Sequence, residues 1–468
     1  MGDMQVRYWG SFMVVSLLCI VLQFVTRASK SKTTLSSSNV RFQGFQINYL
    51  IVFLLAMFSD WLQGPYVYEL YVSYGFSQSE IAELFVCGFG SSMVVGTFVG
   101  SLADTMGRKS MCIIYSVCYI SACFTKLVPN YWVLMLGRFL SGISTSLLFS
   151  VFESWMVCEH FKQGYEGIML NDTFAYATIG NGLVAVVAGL VANIAASYFG
   201  FVAPFVVAIL PLALVAVLIF STWSENYGNQ QLSSLSSLWK GFELVRTDSK
   251  IAALGLSQSC FEGAMYTFVF MWTPALKTDA ELTQGQGEHG HEAAATTSDI
   301  ESTSQYLGLI FAVFMVCVMV GSSIFKYLSL RKEFLYKIPI ILHSVALFSM
   351  ITITLFFENK FVVYTMFLLF EMCVGMFYPS YGVIKSDKIP EDIRSAVMNI
   401  FRIPLNAFVV LLLLKISKMS SMIVFSICAL THGLALLSYL FFYSKVSVNK
   451  SEEMEEHVEL LNSKDGSV

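Results

Sequence analysis

Long runs of apolar residues, separated by short polar turns, constrain this 468-residue chain more than any other feature. Several runs exceed the roughly 20 residues that a helix needs to cross a hydrocarbon layer of about 30 Å. Only 13% of the residues are charged, against about 25% in soluble domains. Because lipid does not satisfy exposed backbone groups, spans of this length must be helices. The sequence therefore predicts an all-α polytopic protein that has the lipid bilayer as its surroundings.

The apolar runs predict membrane-spanning helices in the order one, six and six. Their approximate positions are 8–25, 46–71, 80–102, 109–128, 131–157, 171–197, 201–223, 251–276, 304–328, 335–357, 361–385, 393–415 and 420–443. The first run is longer than the core of a usual signal peptide, and no small-residue cleavage site follows it. We therefore expect a retained helix, with a cleaved signal peptide as the alternative.

These helices divide the chain into five parts. The parts are 1–40, an extra N-terminal helix and a basic loop; 41–223, a six-helix half (the N-half); 224–250, an inter-half loop; 251–445, a second six-helix half (the C-half), with a flexible loop at 277–303; and 446–468, an acidic tail. His289 and His291 in the flexible loop could bind a metal, but solvated histidines in such stretches are more often inert. The tail is expected to be disordered, and its Glu456–Leu461 segment is similar to an acidic dileucine sorting signal.

A polar turn between two spans, Gly100–Ser110, orients the chain, and we call it the Gly100 loop. When this loop is placed in the cytoplasm, twenty of the 28 Lys and Arg residues fall on its side of the membrane and six on the other. Arg138 and Arg402 lie within spans. Because cytoplasmic loops carry an excess of Lys and Arg, we expect the N-terminus outside and the C-terminus in the cytoplasm. The plasma membrane is the expected location, and the dileucine-like tail leaves an endosomal or vacuolar membrane open.

Two six-helix halves joined by a loop are typical of parallel-repeat secondary transporters. The Gly100 loop resembles the signature between the second and third core helices of the major facilitator superfamily, through Gly100, Asp104, Gly107, Arg108 and Lys109. A narrower resemblance, to the molybdate-anion transporter subfamily, covers nearly the whole chain. It rests on six segments in the same order: Asp60–Tyr66, Gly107–Lys109, Phe152–Trp155, Ser224–Tyr227, Trp272–Pro274 and Phe401–Pro404.

The resemblance implies the major facilitator fold, molybdate as substrate, and a gating role for the Gly100 loop. In the superfamily this loop latches the two halves together on the cytoplasmic side. A carboxylate is favoured at the positive end of a helix. We therefore expect Asp104 to face the start of the helix that begins near Ile393, and Arg108 to meet Glu153 or Glu159.

Arg402 is the strongest candidate for substrate contact, because ionisable groups deep in spans are costly and often functional. Ser395, Asn399, Arg402 and Asn406 share one face of a helix by their spacing. A guanidinium flanked by amide donors suits a tetrahedral oxyanion, and Pro404 would kink the helix locally. The alternative for Arg402 is a salt bridge between helices.

Arg138 and Glu371 occupy corresponding places in the two halves, each four residues before a glycine. Arg138 begins a segment that resembles a second superfamily pattern, in which this Arg is tied to proton coupling. An Arg in one half and a Glu in the other suggest an ion pair across a central cavity. A structural pair and a coupling pair both remain open.

Two further polar pairs lie within predicted spans. Asp60 and Gln63 precede the helix interruption at Gly64-Pro65, and interrupted helices often line transport sites. Gln258 and Glu262 lie one turn apart in another span. Four tyrosines could gate or line a cavity, although Tyr also populates both membrane interfaces; they are Tyr66, Tyr68, Tyr378 and Tyr381.

The function that these features favour is a secondary active transporter that imports molybdate by alternating access. When a dianion enters a cell that is negative inside, the membrane potential opposes it by about 2.3 kcal/mol per charge per 100 mV. Uptake therefore needs a driving ion, and Asp60, Glu262 and Glu371 make protons the expected one, since burial and nearby charges tune carboxylate protonation. The alternatives are a carrier of another small solute (a sugar, nucleoside or organic anion) and a transporter-like scaffold or sensor.

Nothing in the sequence predicts an enzyme, a cofactor or a nucleic-acid partner, since no phosphate loop, metal cluster or nucleophile–base spacing stands out. The ten cysteines lie within apolar runs. A disulfide framework or a zinc site is therefore not expected.

Overall fold

The computed structural model describes residues 3–28, 40–228, 234–277 and 302–465, and the regular structure of these residues is helical. Ten of the described helices are long and apolar enough to cross a membrane, and Val397–Leu413 is a shorter apolar helix. The all-α polytopic prediction is confirmed. His289 and His291 lie outside the described residues.

The N-terminal helix and the N-half comprise nine helices in the described residues. In order they are α1 (Asp3–Ala28), α2 (Val40–Gln63), α3 (Val67–Ser73), α4 (Gln78–Met106), α5 (Arg108–Thr125), α6 (Tyr131–Leu148), α7 (Val151–Lys162), α8 (Gly167–Phe199) and α9 (Ala203–Thr222). A short 3-10 turn, Gly64–Tyr66, joins α2 to α3. Pro65 is the second residue of this turn, where its missing N–H costs little, so the interruption predicted at Gly64-Pro65 is present.

The C-half follows a connecting helix. The helices are α10 (Ser234–Thr247), α11 (Ser249–Leu276), α12 (Leu307–Leu328), α13 (Ile338–Leu355), α14 (Lys360–Lys388), α15 (Glu391–Leu413) and α16 (Ser421–Asp465). The predicted inter-half loop thus contains a helix, α10, which packs against α15. The tail is helical to Asp465, contrary to the expected disorder. Its stretch from Glu452 to Leu461 holds five Glu and two Leu, which are good helix formers. The side chains of Glu456–Leu461 lie outside the described part.

Asparagine caps begin the corresponding helices α6 and α14. The side-chain oxygen of Asn130 accepts hydrogen bonds from the backbone N–H groups of Trp132 and Val133, at 3.0 and 3.3 Å. Asn359 caps α14 in the same way. Such caps satisfy N–H groups that have no partner within the helix. The two halves therefore repeat a local start signal.

Glycines bring helices into close contact at corresponding places in both halves. In the N-half, Gly142 of α6 lies against Gly88 of α4, and a Cβ at Gly142 would collide with the Gly88 carbonyl oxygen. In the C-half, Gly375 of α14 lies against Val318 of α12, where a Cβ would collide with the Val318 carbonyl oxygen. Only a residue without a side chain permits this approach of two backbones.

The halves meet along two helix pairs, α8 with α12 and α4 with α15. Between α8 and α12, Gly189 lies so near Gly308 that a Cβ on Gly189 would come within 2.8 Å of the Gly308 carbonyl oxygen. The extra helix α1 packs along α12, and the hydroxyl groups of Ser11 and Tyr364 lie 2.7 Å apart. The helix α1 is therefore attached to the outer face of the C-half.

Candidate functional site

Charged and amide side chains from three helices of the C-half meet in one group, which we call the Arg402 cluster: Gln258, Glu262, Lys385 and Arg402. On α11, the amide nitrogen of Gln258 donates to a Glu262 carboxylate oxygen at 2.9 Å. From α14, Lys385 Nζ donates to the amide oxygen of Gln258 at 3.2 Å. Lys385 and Arg402, the latter on α15, both interact electrostatically with Glu262. Two cations therefore lie within electrostatic range of one carboxylate, and the cluster can bind an anion.

The Arg402 cluster combines a buried carboxyl group with an exposed guanidinium. Glu262 and Gln258 are 9% and 6% exposed, whereas Arg402 is exposed. Tyr266 and Tyr378 lie within electrostatic range of Arg402. An anion could therefore contact the guanidinium without first displacing packed side chains.

The predicted face of α15 forms, but one of its amides is already engaged. Asn399, Arg402 and Asn406 lie on the same helix. The Asn406 side-chain nitrogen donates to the Arg402 carbonyl oxygen at 2.7 Å. The side chain of Ser395 lies outside the described part of the chain.

Lys385 is the member of the Arg402 cluster that the sequence analysis missed, because it was counted among the cytoplasmic charges. The helix α14 continues past Pro379 to Lys388. Glu371, Tyr378 and Lys385 are spaced by seven residues, which is two helical turns. That spacing was the signal: it places Lys385 on the same face as Tyr378, which lies near Arg402.

Asp60 and Gln63 belong to a separate network in the N-half. The Tyr119 hydroxyl donates to the Asp60 carboxylate at 2.5 Å, and the Gln63 amide donates to the Ser59 carbonyl oxygen at 3.2 Å. No described contact joins either residue to the Arg402 cluster. The residues proposed for substrate binding therefore divide into two groups, one in each half.

The ion pair expected between Arg138 and Glu371 is not formed in this structure. The Arg138 guanidinium lies over the ring of Phe85, 4.7 Å from its centre, and Nε donates to the Leu84 carbonyl oxygen at 3.3 Å. Glu371 is buried in the C-half, close to Cys317. The repeated spacing before Gly142 and Gly375 that suggested a pair is explained by the packing of those glycines. The expected pair was therefore wrong for this state.

The Gly100 loop is held by Glu225, which follows α9. Gly107 separates α4 from α5 with a φ of 98°, a conformation that favours glycine. The Glu225 carboxylate accepts hydrogen bonds from the backbone N–H groups of Lys109 and Ser110, at 2.8 and 3.1 Å, and from the Ser110 hydroxyl at 2.6 Å. The anion at the positive end of α5 is thus Glu225.

Asp104 and Arg108 do not make the contacts that the sequence analysis expected. They pair with each other, with 2.7 Å between Arg108 Nη2 and Asp104 Oδ1. Arg108 also donates to the Ser154 carbonyl oxygen at 3.1 Å, and no described contact joins it to Glu153 or Glu159. The described partners of Asp104, Arg108 and Lys109 all lie between α4 and the start of α10, so no latch to the C-half is present. At Gly100, an added Cβ would meet nothing within 4 Å.

The opposite end of the bundle, which we call the Lys277 end, is closed by contacts between the halves. Lys277 at the end of α11 forms an ion pair with Glu69 of α3, with 2.6 Å between Nζ and Oε2. Both side chains are nearly buried, at 5% and 6% exposure. The Ser304 hydroxyl donates to the same carboxylate at 2.8 Å.

Side chains of the N-half also cap the first turn of α12. The Tyr66 hydroxyl accepts from the backbone N–H of Gly308, and the Asn193 side-chain oxygen accepts from that of Leu309, both at 3.2 Å. The ring of Tyr68 packs edge-on against Phe270 of α11, with centres 5.4 Å apart. Two of the four predicted tyrosines, Tyr66 and Tyr68, therefore close the Lys277 end.

The other end, which carries the Gly100 loop, shows a different arrangement. There a small apolar core, formed by Ile251, Ile389, Val397 and Phe401, contains residues of the C-half and of α10 alone. Tyr381, the last of the four tyrosines, is buried in a hydrogen-bonded group within the C-half. The described contacts thus join the halves at the Lys277 end and leave them separate at the Gly100 end.

Comparison with known proteins supports a transporter family. A family model of the major facilitator type, described as sugar transporters with 12 transmembrane segments, matches residues 7–377. The molybdate-anion transporter of Xenopus tropicalis is 33% identical over 458 residues, covering 94% of this chain and 95% of the relative. That of Danio rerio is 32% identical over 447 residues, covering 88% of each.

Solved structures agree in fold. A peptide transporter in complex with sulfate aligns with a TM-score of 0.64 at 11% identity, covering 86% of this chain and 94% of that one. A D-xylose–proton symporter aligns with a TM-score of 0.62 at 12% identity, covering 85% and 97%. The chain is a membrane transporter of the major facilitator superfamily and belongs, within it, to the family of molybdate-anion transporters.

Proposed function

We propose that this chain imports molybdate, and that the Arg402 cluster binds the anion. The observation that carries the proposal is that two cations, Arg402 and Lys385, act on the single carboxylate of Glu262, with Lys385 bonded to Gln258, which donates to that carboxylate. A guanidinium offers paired N–H donors that match two oxygens of an oxyanion, and Lys385 adds a second positive charge. The names of the relatives support an oxyanion as the substrate class.

Alternating access is the proposed mechanism. The contacts at the Lys277 end and their absence from the described residues at the Gly100 end support a state that is closed at one end and open at the other. In the opposite state the Gly100 loop would approach the C-half, and the open space beside Gly100 would be filled. The two states would then expose the bound anion to opposite sides of the membrane.

Proton coupling would supply the driving force. The entry of a dianion against an interior-negative potential of 100 mV costs about 4.6 kcal/mol. Uptake becomes electrically favourable when more than two protons enter with each anion. Glu262 is the best-placed carboxylate, because it lies within electrostatic range of the same cations that the anion would use. Protonation of Glu262 would release Arg402 and Lys385 for the anion, which links the two binding events.

A sugar is the second candidate substrate, because the matching family model is described as sugar transporters. A neutral sugar is bound by hydrogen bonds and has no need of two cations beside one carboxylate. The charges of the Arg402 cluster therefore favour an anion. We further propose the orientation expected from the positive charges, with the Gly100 loop in the cytoplasm and the plasma membrane as the location.

Uptake of isotopic molybdate into proteoliposomes tests the proposal, with excess sulfate or glucose as competitor. We expect competition by sulfate and none by glucose, and at least a tenfold loss of uptake in Arg402→Ala and in Lys385→Met. Arg331→Ala is the matched control, because it removes an exposed arginine between α12 and α13, outside the Arg402 cluster. This variant should transport normally. Normal uptake in Arg402→Ala would exclude this site, and competition by glucose instead of sulfate would favour the sugar carrier.

A further inference from the structure

Two basic side chains of the N-half, the buried Lys126 and the half-buried Arg138, lie within electrostatic range of each other near the Lys277 end. Lys126 is 1% exposed, and its Nζ donates to the Tyr71 hydroxyl at 2.6 Å and lies 5.0 Å from the centre of the Tyr71 ring. Arg138 lies over Phe85 and donates from Nε to the Leu84 carbonyl oxygen. Lys126 and Arg138 interact electrostatically as like charges.

Neither cation has a carboxylate partner among the described residues, where the salt bridges involve other side chains. Removing a charge from water is costly unless an opposite charge or several hydrogen bonds replace the water. Aromatic ring faces offset part of that cost. Arg has five N–H donors and Lys has three, and the described hydrogen bonds of Arg138 and Lys126 engage one donor of each.

We propose that Lys126 and Arg138 form a second oxyanion subsite, located in the N-half near the Lys277 end. A tetrahedral dianion would supply the negative charge that both side chains lack, and its oxygens would accept from the remaining donors. The inference rests on the proposed function and deepens it: each half then contributes one basic subsite, the Arg402 cluster in the C-half and the Lys126–Arg138 pair in the N-half.

A single layer of aromatic rings separates this subsite from the boundary between the halves. Phe85, whose ring lies beneath Arg138, packs edge-on against Phe270 of the C-half, with ring centres 5.1 Å apart. Tyr68, on the short helix that carries Tyr71, packs against the same Phe270. When the Lys277 end opens, Phe270 moves away with the C-half and uncovers the pair. The subsite would then be accessible to an anion that enters from that end.

Equilibrium dialysis of the full chain in detergent against isotopic molybdate at low salt tests the subsite. The background variant is Arg402→Ala with Lys385→Met, which removes the Arg402 cluster. We expect this background to retain one molybdate per chain, and an added Lys126→Met to weaken that binding at least tenfold. Lys126→Arg, which keeps the charge, should restore binding to within threefold, and Lys418→Met, an exposed lysine at the same end, should have no effect.

A second measurement uses Cys87, which is half-buried and lies in the field of both Arg138 and Lys126. Molybdate should slow the reaction of Cys87 with a maleimide in the background variant, as followed by peptide mass spectrometry. This readout decides the question even where Lys126→Met does not fold.

The outcomes separate the two proposals. Binding by the wild type with neither binding nor Cys87 protection in the background variant overturns the second subsite and leaves the Arg402 cluster in place. Unchanged binding in the Lys126→Met variant also overturns the subsite. Absence of molybdate binding to the wild type overturns both proposals.

Discussion

Glu69 and Lys277 join the two halves through an ion pair that is almost completely buried, with 2.6 Å between the charged atoms. The two charges lie on different halves, so the proposed opening of the Lys277 end would break the pair. Leaving one partner of a buried pair alone costs about 3–5 kcal/mol. The pair therefore makes closure of this end depend on both charges.

Glu69→Gln should shift the protein toward the state that is open at the Lys277 end, because it leaves Lys277 buried without its counter-charge. The shift is measurable as a longer distance between spin labels at Phe199 and Phe356, which are 80% and 56% exposed at this end of the N-half and C-half. We expect a new population with a longer distance to become the major one.

The control for that measurement is the exchanged pair, Glu69→Lys with Lys277→Glu, which keeps opposite charges in contact. It should recover the short distance at least in part. The half-buried cysteines Cys87, Cys118 and Cys158 are first changed to Ser so that the labels react only at the two chosen positions. An unchanged distance in Glu69→Gln would show that the aromatic and capping contacts close this end without the ion pair.

Glu225→Gln should destabilise the folded protein by about 1–3 kcal/mol, because hydrogen bonds to a charged group are lost at the N-terminus of α5. The carboxylate engages two backbone N–H groups and one hydroxyl of Lys109 and Ser110. The measurement is the thermal unfolding midpoint in detergent. Glu243→Gln, which neutralises an exposed carboxylate on α10, should leave the midpoint unchanged, and equal midpoints for the two variants would contradict the capping role.

The fold was predictable because it depends on patterns that the sequence displays directly. Long apolar runs impose helices, and Gly64-Pro65 imposes the interruption between α2 and α3. The helix α10 and the helical tail were missed because their residues are polar, and polar stretches between spans read as loops. Their helicity follows from local propensity and, for α10, from packing against α15, which hydropathy does not report.

The candidate site was predictable only in part. Arg402, Gln258 and Glu262 were identified from charges placed within spans, and the structure brings them together. Lys385 was missed because it lies near a helix end, where a basic residue is usually solvated. The partner choices of Arg108 and Arg138 were wrong because Arg108 pairs with Asp104 one helical turn away and Arg138 donates to a backbone carbonyl oxygen of α4. The positions of charges along the chain do not rank such partners.

Gly375→Ala should destabilise the C-half by about 1–3 kcal/mol, because the added Cβ would collide with the Val318 carbonyl oxygen of α12 and force the two helices apart. Gly382→Ala, on the same helix, is the matched control: an added Cβ there meets nothing within 4 Å. That change should be neutral or stabilising by up to about 1 kcal/mol, since Ala favours a helix over Gly. Thermal unfolding of the two variants compares them directly, and equal destabilisation would exclude close packing as the cause.

Glu262→Gln should remove the pH dependence of molybdate uptake and tighten binding about tenfold. The change imitates the protonated acid, so Arg402 and Lys385 lose the carboxylate that competes with the anion. A tenfold change in affinity corresponds to ~1.4 kcal/mol. This is well below the ~4 kcal/mol of attraction between two opposite charges 4 Å apart at an effective dielectric constant of 20. Wild-type uptake should rise as the external pH falls from about 8 to about 5.5. This pH range lies above the usual carboxylate pKa. Uptake by the Glu262→Gln variant should stay level over the same range. Glu333→Gln, at an exposed position, should behave as the wild type. A variant that keeps the wild-type pH profile would remove Glu262 from coupling, because the proton would then bind elsewhere.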